Sequence, residues 1–204
     1  NYESDLCRLG KKFNSDKSPL NSDSPTRHSY TGIYNFLFSS IKESNLIIGE
    51  FGILNNASMK MWREYFKNAK LIGFEYDKKF IEDAKKDKLK DTFYYHTDVN
   101  NKKIILETLK ETNELFDIII DDSNHLFESQ INIIEISKEF IKPGGLLIIE
   151  DIYTTKEKHE EIKYYEEIKK YMNDFSEIYF INCNHKNNYN RLYQNNKILF
   201  LKKN

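Results

Sequence analysis

Short apolar runs separated by amphipathic stretches dominate the middle of the chain. Residues 46–51 (LIIGEF), 70–75 (KLIGFE), 92–98 (TFYYHTD), 116–120 (FDIII) and 145–150 (GLLIIE) are compact and strand-like. Near-continuous apolar character is what strands covered on both faces show. Between them, 57–66, 78–89, 101–111 and 127–141 carry apolar residues at helical spacing, and 156–173 is a long charged helix with tyrosines on one side. Strands alternating with helices predict a parallel sheet flanked on both faces. The last two runs, 177–182 and 197–202, have no helix between them and are expected to end the sheet as an antiparallel hairpin. The expected fold is α/β: a doubly wound, mostly parallel, seven-stranded Rossmann-like sheet. Ahead of it, 14–28 (NSDKSPLNSDSPTRH) reads as a loop or mobile flap. The stretch 30–41 (YTGIYNFLFSSI) reads as a covering helix whose aromatics leave room for self-association. Residues 1–204 are thus expected to form one domain, with 1–41 as flap and covering helix.

Composition narrows the function classes. A chain of 204 residues can bury about 70% of its unfolded surface, so it needs no staple. Lys and Arg total 31 against 32 Asp and Glu, a net charge of −1, which argues against coating nucleic acid or anionic membrane. Mean hydropathy is −0.70, and no run approaches the roughly 18 apolar residues of a membrane span. The opening NYESDLCRLGKKF lacks the apolar core of a secretory signal. A cytoplasmic protein is expected. The chain opens without Met, which leaves room for residues upstream of Asn1. Cys7 and Cys183 stand far apart and form neither a disulfide framework nor a zinc knuckle.

In an open parallel sheet, ligands bind beyond the carboxyl ends of the strands, near the point where strand order reverses. Here every central strand ends on carboxylate: Glu50, Glu75, Asp98, the Asp121–Asp122–Ser123–Asn124–His125 run, and Glu150–Asp151. Any one of these fits an ordinary acidic loop, but all five strand ends being acidic is a register. Gly52 after the first strand permits close backbone approach to a ligand. The helix start near Asn56–Ser58 offers free N–H groups to an anion. A single glycine in EFGILNNAS, without GxGxxG, speaks for a small anionic group such as an amino-acid carboxylate rather than a pyrophosphate. Glu75 is placed to hold ribose hydroxyls and Asp98 to meet an adenine amino group, although Asp98 also fits a helix cap. Trp62, Met59 and Met61 follow helical spacing and read as core.

EFGILNNASMKMW, LIGFEYD, DIIIDDSNH and KPGGLLIIEDI together resemble a class I S-adenosylmethionine-dependent methyltransferase. More narrowly, the chain is similar to the sugar O-methyltransferases of the mycinamicin and macrocin type and their relatives in bacterial surface-polysaccharide clusters. KKFNSDKSP…RHSYTGIYNFLF is similar to those proteins' N-terminal stretch, and the likeness covers roughly residues 11–153. It implies that Glu50, Gly52 and Ser58 line the methionine moiety, Glu75 the ribose and Asp98 the adenine edge. Tyr30, with neighbouring His28, would close over the cofactor, and Asp121 would be a further cofactor-facing candidate. The chain has Leu54–Asn55–Asn56 where the family has a glycine-rich turn, and DDSNH for the usual DDGSH.

Transfer to a sugar hydroxyl needs a base, a metal, or both, because the hydroxyl is hardly ionised at neutral pH. Asp122 and Asp151 offer hard oxygen ligands for Mg²⁺, a candidate cofactor. His125 is the candidate base, since an imidazole titrates near neutral pH, and the family has a metal and an equivalent His. The expected activity is O-methyl transfer to a small sugar-like or phosphorylated acceptor. Three rivals remain: an NAD(P)-dependent oxidoreductase, disfavoured by the missing GxGxxG; a nucleic-acid methyltransferase, disfavoured because DDSNH replaces an Asn/Asp-Pro-Pro-aromatic element; and a non-catalytic cofactor-binding relative. Acceptor choice is expected to lie in residues 14–28, 153–158 and 184–196, with His185 and Arg191 as weak candidates for an anionic acceptor.

Overall fold

The structure, a computed structural model, describes residues 3–152, 158–190 and 195–204. It opens with helix α1 (Asp5–Lys12), capped by the Ser4 hydroxyl accepting from the Cys7 amide at 3.1 Å. The apolar pattern did not reveal this helix, because only Leu6, Cys7 and Gly10 of its eight residues are buried. Turns follow to a two-residue strand, β1 (Thr26–Arg27), and then helix α2 (Tyr30–Phe38).

The alternating core is β2 (Ile47–Phe51), α3 (Ala57–Tyr65), β3 (Lys70–Glu75), α4 (Lys78–Lys86), β4 (Thr92–His96), α5 (Lys102–Thr112), β5 (Phe116–Asp121), α6 (Phe127–Ser137) and β6 (Ile141–Ile152). Helix α7 (Lys158–Ile168), a 3₁₀ segment, β7 (Phe175–Asn182), the short β8 (Tyr189–Asn190) and β9 (Lys197–Lys203) complete the described chain. The seven-stranded order is β4-β3-β2-β5-β6-β9-β7. The pairs from β4 to β6 are parallel, and β9 runs antiparallel to both β6 and β7. The last strand therefore lies between β6 and β7, and the expected hairpin leaves β7 at the edge.

Strand order reverses between β2 and β5, whose ends pair as Phe51↔Asp121. Side chains alternate across the sheet, as strand geometry requires. Ile48, Ile118, Ile120 and Ile148 join the core under α1, α2 and α3, where Trp62, Met59 and Met61 are buried as expected. Phe51, Ile119, Leu147 and Ile149 join the core under α5, α6 and α7.

The covering helix corrects one expectation. Tyr30, Tyr34 and Phe38 are fully buried, Tyr34 against Trp62 and Phe38 against Phe66, and Phe36 is the exposed aromatic of that helix. Its aromatic face serves the fold rather than the surface. Pairing of β1 with β8 ties the 14–28 flap to the segment before β9, and Arg27 reinforces it by donating to the Asn187 carbonyl at 3.1 Å. Arg191 and residues 153–157 lie outside the described residues. Among the described residues no helix is long and apolar enough to cross a membrane.

Candidate active site

The neighbouring strands β2, β5 and β6 end on Glu50, Asp121–Asp122 and Glu150–Asp151, so topology alone gathers these carboxylates. Two backbone devices aim them. Gly52 has φ +83°, and a Cβ there would lie 2.1 Å from the Asp122 carbonyl oxygen, so the β2 and β5 loops meet only because this residue is glycine. In β6 the pairing register shifts between Ile149 and Ile152, and Asp151 takes φ +58°. Such a bulge re-aims side chains at a sheet end. Glu150 and Asp151 consequently serve two adjoining networks.

Glu150 and Glu50 are each 1% exposed. Between them stands Lys17, from the flap, also 1% exposed. Its ammonium lies 2.5 Å from Glu150 and 3.3 Å from Glu50 and also pairs with Asp122. Burial alone would depress that ammonium, yet Asp122, Glu150 and Glu50 together hold its pKa well above the ordinary lysine value. Burial raises the carboxyls of Glu50 and Glu150, with Lys17 pulling both the other way. Ser58 and the Trp62 indole donate to Glu50 at 2.7 and 3.2 Å, and Tyr34 donates to Glu150.

Asp151 organises the second network. Tyr30 donates to it at 2.7 Å, His28 Nε2 lies 3.6 Å away, and His125 Nδ1 lies 3.4 Å from its other oxygen. Burial raises the Asp151 carboxyl, and the two histidines oppose that rise. Ligand atoms of Asp122, His125 and Asp151 all fall within 4.8 Å of one another. His125 has φ +57° and leaves its buried Nδ1 without a hydrogen bond. A backbone held off its preferred region at a cluster of acids marks a functional corner.

A cleft of about 760 Å³ opens in front of these residues. Gly52, Ser58, Glu75, Asp98, Asp122, His125 and Asp151 line it. Glu50, Tyr30, His28 and Asp121 do not. Glu50 sits behind Ser58, and Tyr30 is buried behind Asp151, so its position corrects the expectation of a lid over the cofactor: its hydroxyl is bound to Asp151 and the Asn195 carbonyl at 2.7 Å each. His28 stacks on the Tyr30 ring in the same buried layer. Asp121 is completely buried, accepts from the Ser123 amide at 3.1 Å, and is pushed up to about 6 by desolvation.

The far end of the cleft is built differently. Glu75 accepts four backbone N–H bonds, from Ile53 and Leu54 at 3.1 Å each and from Tyr76 and Asp77 at 2.8 and 3.0 Å. Asp98 accepts from the Asn100 amide and side chain at 2.9 Å each. The turn lacking glycines keeps left-handed geometry: Leu54 has φ +43° and Asn56 φ +65°. Asn56 is fixed there by Asp87 and Tyr94, each at 2.9 Å. Sequence reasoning missed Lys17. The one available signal was its standing as the single lysine of an otherwise Ser/Asp/Asn/Pro-rich flap.

The family model described as a methyltransferase domain matches residues 55–200. The chain belongs to the methyltransferase-domain family. It is 28% identical over 157 residues to a tetracenomycin-C rhamnosyl 3'-O-methyltransferase of Streptomyces olivaceus, covering 74% of this chain and 37% of that protein. It is 25% identical over 134 residues to demethylmacrocin O-methyltransferase of Streptomyces fradiae, covering 62% of this chain and 32% of the relative. The chain thus spans about a third of the length of the curated relatives it matches. Among solved structures, the mycinamycin-pathway methyltransferase MycE in complex with Mg and SAH superposes with a TM-score of 0.71 at 19% identity, over 99% of this chain and 55% of that one. A Methanococcus jannaschii fibrillarin superposes at 0.57 with 17% identity, over 79% and 67%. These likenesses show that the seven-stranded sheet of this chain is the Rossmann-like methyltransferase fold.

Proposed function

We propose that this methyltransferase is an S-adenosylmethionine-dependent O-methyltransferase acting on a hydroxyl of a small, sugar-like acceptor, in bacterial surface-polysaccharide or secondary-metabolite biosynthesis. The observation that carries the reading is the convergence of Asp122, His125 and Asp151 at one side of a cleft whose other side is the Gly52 turn, Glu75 and Asp98. The named sugar O-methyltransferases among the relatives, and a fold neighbour solved with Mg and SAH, support it.

The Asp122 and Asp151 carboxylates fit a divalent ion: two hard oxygen donors lie close together on the cleft wall, with His125 beside them rather than among the ligands. When bound, S-adenosylmethionine supplies the electrophilic methyl group, and Mg²⁺ held by Asp122 and Asp151 supplies a Lewis acid for the acceptor hydroxyl. The protein's own residues do the rest. Ser58 and the Gly52 backbone shape the wall for the amino-acid end of the cofactor. Glu75 stiffens the turn that carries Leu54 and faces the ribose, with Asp98 toward the base. Displacement is in line, so positioning of the acceptor dominates the rate. His125, with Nδ1 turned to Asp151, takes the hydroxyl proton on its other nitrogen, and Asp151 steadies the resulting cation. Asp16, Asp23, Glu75, Asp98, Asp122 and Asp151 outnumber Lys17 and His125 on the described wall, which favours an uncharged hydroxyl over a phosphorylated acceptor.

Methyl-transfer assays with labelled S-adenosylmethionine against neutral, amino and phosphorylated sugars test this. Turnover is expected with a neutral or amino sugar, and methylation only of phosphorylated compounds would overturn the acceptor assignment.

A further inference from the structure

Lys17 has no part in methyl transfer as described, yet it is as enclosed as the Glu50 and Glu150 carboxylates it faces. Its stem is anchored by the flap backbone, where Thr31 donates to the Lys17 carbonyl at 3.2 Å and His28 to the Asp16 carbonyl at 2.8 Å. Its ammonium reaches Glu50 on β2, Asp122 after β5 and Glu150 on β6. Glu50 and Glu150 also receive neutral hydrogen bonds, from Ser58, Trp62 and Tyr34, but these bring no positive charge. Asp122 stands apart. Its carboxylate pairs with Lys17 on one side, and the residue lines the cleft on the other with its side chain 22% exposed. The carboxylate expected to ligate a divalent ion is thus the one that Lys17 already holds.

Resting on the metal reading above, we propose that Lys17 is the resident counter-cation of this cluster, a positioning residue that competes with the divalent ion for Asp122. Four carboxylates, Glu50, Asp122, Glu150 and Asp151, stand against this single ammonium. Between metal-binding events it keeps Glu50 and Glu150 paired, so the fold does not depend on metal. With metal present, two cations share one carboxylate a few ångströms apart, where their mutual repulsion weakens metal binding. A flexible ammonium suits this better than a guanidinium, because it is a compact charge that can lean toward Glu50 and Glu150 when Asp122 is taken.

Calorimetric titration of MgCl₂ and MnCl₂ into the full chain, beside melting curves with and without Mg²⁺, tests the proposal. Lys17→Gln is expected to bind metal about tenfold tighter than wild type or better. Its melting temperature is expected to fall without metal and to gain more on adding Mg²⁺ than wild type does. Glu50→Gln, which keeps an acceptor for Ser58 and Trp62 while releasing Lys17 toward Asp122, is expected to bind metal more weakly. A folded Lys17→Gln variant with wild-type or weaker affinity would overturn the proposal. If Lys17→Gln is unfolded without metal, refolding on Mg²⁺ supports the proposal, and Glu50→Gln at wild-type affinity contradicts it. Absence of metal binding in all three proteins removes the metal centre and this proposal together, while S-adenosylhomocysteine binding by the same samples leaves the cofactor reading standing.

Discussion

The two sides of the cleft use the same residue type for opposite kinds of work. On the β5–β6 side, carboxylates are buried and answered by side chains: Lys17, Tyr30, Tyr34, His28 and His125. On the β3–β4 side, Glu75 and Asp98 are half-buried and answered mainly by backbone amides, from their own loops and, for Glu75, also from the neighbouring β2–α3 loop. The difference lies in where the partners come from. The backbone amides come with the strand–helix turns of β2, β3 and β4. Among the side-chain partners, Lys17, Tyr30 and Tyr34 reach Asp122, Glu150 and Asp151 across 105 to 133 residues of sequence, all of them from the N-terminal cover. One side is therefore a product of the sheet, and the other is a product of the sheet plus its N-terminal cover.

Changes on the closed side should have the larger effects. His125→Asn, which keeps a residue tolerant of positive φ, is expected to slow methyl transfer by about 10²–10⁴-fold. Its melting temperature and S-adenosylhomocysteine affinity should stay near wild type; a rate within a factor of two of wild type would remove His125 as the base. Lys17→Met leaves Glu50 and Glu150 buried without a charge partner and should cost about 3–5 kcal/mol in urea unfolding without metal. On the open side, Glu75→Gln replaces an acceptor of four N–H bonds with an amide that can satisfy only part of them, costing about 1–3 kcal/mol. It should also weaken S-adenosylhomocysteine binding, and equal losses for Lys17→Met and Glu75→Gln would erase the contrast between the two sides. The smallest effect has the opposite sign: Leu54→Gly removes the strain of φ +43° at an exposed leucine and should stabilise by up to about 1 kcal/mol after the added chain entropy of glycine. Differential scanning calorimetry would resolve it.

The contrast also explains what could be read from sequence. Strands such as 70–75 and helices such as 78–86 announce themselves through local periodicity, and the acidic strand ends follow from register. Gly52, Ser58, Glu75, Asp98, Asp122, His125 and Asp151 were accordingly legible as cleft residues. Tyr30 was legible as part of the site but not in its role, because periodicity does not say whether a tyrosine faces a ligand or a buried aspartate. Lys17 was barely legible: its three carboxylate partners are supplied by strands further along the chain, and within the flap only its standing as the single lysine marks it. Helix α1 was missed because eight mostly polar residues carry too little apolar signal. The Leu54–Asn55–Asn56 turn looked like a loss of glycine geometry, yet Asn56 takes the left-handed conformation at low cost and its side chain is locked by Asp87 and Tyr94.

The most direct test of the cofactor assignment is calorimetric titration of the wild-type chain with S-adenosylhomocysteine, with and without Mg²⁺, using NAD⁺ as the competing ligand. Binding of S-adenosylhomocysteine at one site per chain, unchanged by NAD⁺, is the predicted result. Binding of NAD⁺ alone, or of neither compound, would contradict it.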